Sequence, residues 1–82
     1  MIKTQFCFVS DFDKQQKLRE IGLKIRFLRE SKKISRAQMA FEMDTTEKQI
    51  TRIEYGQINT GLYSLIQIAS ILEVSPSCFF QE

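Results

Sequence analysis

Between Thr46 and Arg52 the chain carries one carboxylate (Glu47), two cations (Lys48 and Arg52) and the hydroxyl of Thr51. These groups can donate and accept hydrogen bonds, but nothing nearby equips them to make or break covalent ones. The sequence has no histidine, no glycine-rich phosphate loop, and no serine or cysteine with a plausible base beside it. Nucleophilic and general acid–base catalysis therefore lack their residues, and the remaining carboxylates are scattered along faces expected to be exposed. Cys7 and Cys78 have no Cys-x-x-Cys spacing and, without histidine, make no zinc set; two reduced thiols are expected. No enzyme activity, cofactor or metal is expected. What remains is recognition, by charge and hydrogen bonding displayed on a surface.

The elements that hold these residues can be read from their neighbours. Ile50 and Ile53 stand three apart and can face a core, which turns Glu47, Lys48, Thr51 and Arg52 onto the outward arc of one helix. Thr46 followed by Gln49 has the spacing of a capping box, and Ser35 followed by Gln38 repeats it one helix earlier. The spacing predicts helices over about Arg36–Met43 and Glu47–Tyr55, with Met43-Asp44-Thr45 between them and Gly56 as the stop. Met39, Ala40 and Met43 should point inward, Ala40 being small enough for two helices to cross steeply. Asp44 is placed where a left-handed conformation is needed. A short, capped, polar-faced helix held against its predecessor is the helix-turn-helix arrangement, which presents side chains to a groove.

Around that pair an all-α, five-helix domain is expected. A first helix should run from about Asp11 or Asp13 to Ser31, with Leu18, Ile21, Ile25 and Leu28 as its core stripe. Gly22 interrupts the helix propensity by roughly 1 kcal/mol relative to Ala, which a close approach by a neighbouring helix would explain. Gln57–Gly61 reads as a polar loop. Leu62, Leu65, Ile68, Ala69 and Leu72 then form a 3.6-residue stripe, and Ser75-Pro76 opens a short fifth helix carrying Phe79 and Phe80. Residues 1–12 read as an apolar N-terminal arm and 13–82 as the domain. In Met1–Val9, Ile2, Phe6 and Phe8 lie at even positions, as on one face of a strand. The arm either packs on its own domain or pairs with a second copy across a two-fold axis.

The full chain of 82 residues suits one small domain, and its 43% apolar share is ordinary for a folded one. No stretch approaches the roughly 20 apolar residues that span a bilayer, and Asp11 and Asp13 follow the apolar start too closely for a secretory leader. A cytoplasmic location without membrane contact is expected. Net charge is only +2, but it is unevenly distributed: Lys14–Arg36 holds nine Lys/Arg against Glu20 and Glu30, whereas from Ala37 onward acidic residues outnumber basic ones six to two. A basic stretch beside a helix-turn-helix reads as a phosphate-facing surface, although a solvated helix face would show the same composition.

The stretch Ile21–Phe79 resembles the lambda-repressor/Cro type of helix-turn-helix, the XRE family. The resemblance rests on the joint spacing of Ile21-Gly22, Ile25-Arg26, Leu28-Arg29, Ile34-Ser35, Met39-Ala40, Ile50, Arg52-Ile53-Glu54, Gly56, Asn59, Leu65, Ile68-Ala69, Leu72 and Val74-Ser75. It implies a compact five-helix domain whose third helix enters the major groove of double-stranded DNA, usually in a homodimer. It also implies a structural ion pair between Arg29 and Glu54. Carried over by residue, Glu47, Lys48, Thr51 and Arg52 are the base-reading positions, with Lys48 or Arg52 donating to guanine and Glu47 accepting from cytosine. Arg36, Gln57 and Asn59 would hold phosphates; Thr46, first of all a cap, could add another phosphate contact.

The chain departs from that pattern in places. Arg36 stands where the family commonly has Gln, Asp44 replaces the turn glycine, and Thr60-Gly61 replaces the common Pro-Ser. Glu47 brings a carboxylate close to phosphates. These changes bear on affinity more than on fold. The expected function is a sequence-specific transcriptional regulator binding operator DNA as a dimer. The alternative is a protein-interaction module, antitoxin-like or an adaptor, that keeps the fold with weak or no DNA binding and acts through a partner protein.

Overall fold

The computed structural model describes residues 11–80. Four α-helices follow in order: α1 (Asp11–Ser31), α2 (Arg36–Glu42), α3 (Glu47–Glu54) and α4 (Leu62–Leu72), and a 3-10 turn over Pro76–Phe80 takes the place of the fifth helix. Phe12 is already inside α1, whereas the strand or arm expected over Met1–Val9 lies outside the described residues. No strand occurs among the described residues.

The starts of α2 and α3 follow from their caps. Ser35 and Thr46 have extended backbones, and their hydroxyl oxygens accept from the N–H of Gln38 (3.0 Å) and Gln49 (3.1 Å). Only this half of each capping box is formed among the described residues; neither glutamine amide reaches back. The helix ends share one device. After each helix a left-handed residue (Lys33, Asp44, Gly56 and Glu73, φ 57–70°) lets its own N–H and the one after it fold back onto the last carbonyls. Ile34 donates to Arg29, Thr45 to Ala40, Gln57 to Arg52 and Val74 to Ala69, at 2.9–3.1 Å. This six-to-one bond satisfies carbonyls that the helix itself leaves open. Asp44 has the left-handed conformation expected of it, while Lys33 and Glu73 adopt the same conformation with larger side chains.

The core gathers Ile25 from α1, Met39 and Ala40 from α2, Ile50 and Ile53 from α3, Leu65, Ile68, Ala69 and Leu72 from α4, and Phe79 from the 3-10 turn. Ile21, Leu28 and Met43 pack at its margin. Leu62, expected in the α4 stripe, is instead 66% exposed. It is the first residue of α4, and helical side chains lean toward the N-terminus, so Leu62 projects beyond the core. Phe79 covers the core and Phe80 does not.

Packing places α3 against both α2 and α1. The α1 contact is made at Gly22. A Cβ there would stand 2.6 Å from the carbonyl oxygen of Ile53 and closer still to that of Glu54. The close approach expected at this glycine is thus a backbone-to-backbone meeting of α1 with the last turn of α3. Gly56 meets α1 from the other side: a Cβ on it would lie 2.7 Å from the Arg19 nitrogen, and its φ of +70° already favours glycine.

Candidate nucleic-acid interface

The site is built on α3 by its two dissimilar faces. Ile50, Ile53 and Glu54 are buried, and Glu47, Lys48 and Arg52 are exposed on the opposite arc. Thr51 is half-buried; its hydroxyl donates to the Glu47 carbonyl at 3.0 Å. That bond uses the hydroxyl hydrogen, so a lone pair and the methyl group remain for anything outside. Glu47, Lys48 and Arg52 take part in no ion pair among the described residues. Thr46 is exposed at the start of the same helix, and Gln57 and Asn59 are exposed in the loop after it.

What aims this face is a buried charge node at the far end of α3. The Glu54 side chain has no solvent exposure; its Oε2 accepts from Arg29 Nε at 2.6 Å and its Oε1 from Arg29 Nη2 at 3.3 Å. Arg29 Nη1 donates in turn to the Ile34 carbonyl at 2.8 Å. The ion pair implied by the family resemblance is therefore present, and it closes the α1–α2 turn as well. Arg36 adds a third member: its Nε donates to Glu54 Oε1 at 3.0 Å. The hydrogen bond to Glu54, larger in effect than the opposing loss on burial, raises the pKa of the Arg36 guanidinium above its ordinary value. Two cations on one carboxylate satisfy it completely, and no buried side-chain polar atom among the described residues lacks a partner. Such a node fixes geometry more than it adds stability, because burying the charges carries a desolvation penalty.

Tyr55 was not singled out by sequence spacing. It caps α3, and Arg26 and Arg36 lie over its ring at 6.0 and 5.9 Å, within cation–π reach. Neither periodicity nor composition marks it, because the two arginines come from other helices. Of the eight residues expected at the interface, seven lie on or beside α3: Thr46, Glu47, Lys48, Thr51, Arg52, Gln57 and Asn59. Arg36, at the start of α2, is turned to Glu54 with its side chain 29% exposed. Much of the positive charge of α1 is also answered inside the fold. Lys17 pairs with Glu20 (3.5 Å), Arg26 with Glu30 (3.2 Å), and Lys24 donates to the Cys78 carbonyl (3.3 Å).

A helix-turn-helix family model (HTH_3) matches residues 25–77, which includes α2, the turn, α3 and α4. The chain belongs to the XRE-type helix-turn-helix family of DNA-binding proteins. Among solved structures it is similar to the restriction-modification controller protein C.AhdI from Aeromonas hydrophila. The two share 28% identity with a TM-score of 0.72, over 77% of this chain and 96% of that one. No curated protein matches. Membership makes the chain a transcriptional regulator of the XRE type, and among the described residues no helix is long and apolar enough to cross a membrane.

Proposed function

We propose that the chain is a sequence-specific regulator that binds operator DNA as a homodimer, with α3 in the major groove. The observation that carries this reading is the set of charges left unpaired on the outward arc of α3, while its other face is locked by core and charge node. A rigid helix with unanswered donors supplies what base edges require, and the donors need no rearrangement on binding. Lys48 and Arg52 donate to the O6/N7 edge of guanine, and Glu47 accepts from the cytosine amine. Thr51, its hydrogen already spent on Glu47, offers its methyl group to thymine. Thr46, Gln57, Asn59 and nearby backbone N–H groups hold phosphates and set register. In a two-fold dimer the α3 helices would lie about 34 Å apart, one turn of duplex. The likeness to a restriction-modification controller supports a regulatory role.

The test is selection of bound sites from random duplexes by the purified protein. Recovered palindromes whose enrichment disappears in Lys48→Ala and Arg52→Ala support the reading; enrichment indifferent to both changes refutes the base contacts. One observation favours the other reading, a protein-interaction module: Phe41 on α2 is 84% exposed, and Leu23 and Phe27 form an apolar pair on α1. Salt separates the two. A regulator loses DNA affinity steeply as salt rises, because phosphate contacts release counterions, whereas an interaction module yields no enriched duplex at any salt.

A further inference from the structure

We infer that Arg36 is a positioning residue for DNA readout, acting through Glu54 to hold the angle between α2 and α3, rather than one of the phosphate contacts. The inference rests on the proposed DNA-binding function and refines it. Three observations support it. The Arg36 Nε is 3.0 Å from Glu54 Oε1, so this donor is already engaged inside the fold. Its guanidinium carbon lies 5.9 Å over the Tyr55 ring, which holds the group near the end of α3. Finally, Glu54 is fully enclosed and shared with Arg29, so the carboxylate cannot swing out to follow a departing Arg36. To turn its Nε edge to a phosphate Arg36 would have to leave the buried acid, which would then lose one of its two partners.

The linkage has a direct consequence for sequence reading. Arg36 opens α2, and Glu54 and Tyr55 close α3, so a single side chain joins the entry of the helix-turn-helix to its exit. The turn Met43–Thr46 and the core contacts of Met39 and Ala40 with Ile50 and Ile53 tie the pair elsewhere. With these in place, α3 has little freedom to rock about the turn, and Lys48 and Arg52 are aimed before DNA arrives. Sequence selectivity depends on that aim, whereas nonspecific phosphate attraction depends on charge alone. Removing Arg36 should therefore weaken selective binding and leave the count of phosphate contacts as it was.

The experiment uses the duplex most enriched by the wild-type full chain, a scrambled duplex of equal length, and the variant Arg36→Met. Association constants are measured by fluorescence anisotropy over a series of salt concentrations. We expect Arg36→Met to lose roughly tenfold in affinity for the enriched duplex, the scale of one charge-assisted hydrogen bond, with the scrambled duplex little affected. The slope of log K against log salt should equal that of the wild type. A slope shallower by about 0.9, with both duplexes weakened alike, would show a lost phosphate contact and overturn the inference. A second readout needs no variant: the Arg36 Nε–H resonance of the wild-type protein should keep its shift when DNA saturates the protein. Its movement to a new position on binding overturns the inference even if Arg36→Met does not fold. If the wild type enriches no duplex, the regulator reading fails and takes this inference with it; a wild-type operator with the variant result reversed removes the inference alone.

Discussion

Gly22→Ala sets two effects of opposite sign against each other in one methyl group. Position 22 is in the interior of α1, where Ala is favoured over Gly by about 1 kcal/mol through helix propensity alone. Against this stands the last turn of α3. The added carbon would sit 2.6 Å from the Ile53 carbonyl oxygen, with the Glu54 carbonyl nearer still. An ordinary carbon–oxygen contact is roughly 3.4 Å, so the two helices must separate by about 0.8 Å or more. The obstructing atoms are backbone in a capped helix, and no side-chain rotation relieves the clash. Overpacking of this kind costs about 1–3 kcal/mol, and the rigid neighbours put this case at the upper end. Separation also stretches the Arg29–Glu54 bonds, since they cross the same contact. The net expectation is destabilisation by about 2 kcal/mol, a fall in Tm of roughly 10 °C for a domain of this size. Urea and thermal unfolding followed by circular dichroism measure it directly. A neutral or stabilising result would mean that propensity wins, and that α1 does not approach α3 as closely as argued.

The charge node and the helix ends yield further expectations. Glu54→Gln leaves Arg29 with a poorer partner in a buried place and should destabilise by about 3–5 kcal/mol, the usual consequence of breaking one side of a buried pair. Pairing it with Arg29→Met should recover part of that loss, and strict additivity in a double-mutant cycle would refute the coupling. Glu73→Gly removes a side chain from a backbone at φ +60° and should stabilise by up to about 1 kcal/mol, measured as a higher urea midpoint with an unchanged m-value. A lower midpoint would show that the Glu73 side chain has a favourable role elsewhere.

The sequence was most informative where structure is decided within one turn of chain. Ser35 and Thr46 cap as their spacing requires, because a hydroxyl and an N–H three residues on are brought together by the helix itself. The burial of Ile50 and Ile53, and the exposure of Glu47, Lys48 and Arg52, follow from the same pitch. The glycine in α1 told of a close neighbour without telling which one. The Arg29–Glu54 pair was legible only through the family resemblance, since nothing local relates residues 25 apart in sequence. Where periodicity alone was used at the end of an element it overreached, as Leu62 shows: the stripe continues in sequence past the point where there is a core to cover.

The sequence by itself determined the four α-helices, the capped starts of α2 and α3, the turn at Asp44 and which arc of α3 carries charge. All of these rest on bonds and angles between residues no more than about four apart. Tertiary structure alone decided that Arg36 turns to Glu54, that Tyr55 lies beneath two arginines, and that α1 meets α3 backbone to backbone at Gly22. Each of those depends on the angle and spacing at which separate helices cross, and the packing of the whole core sets that angle.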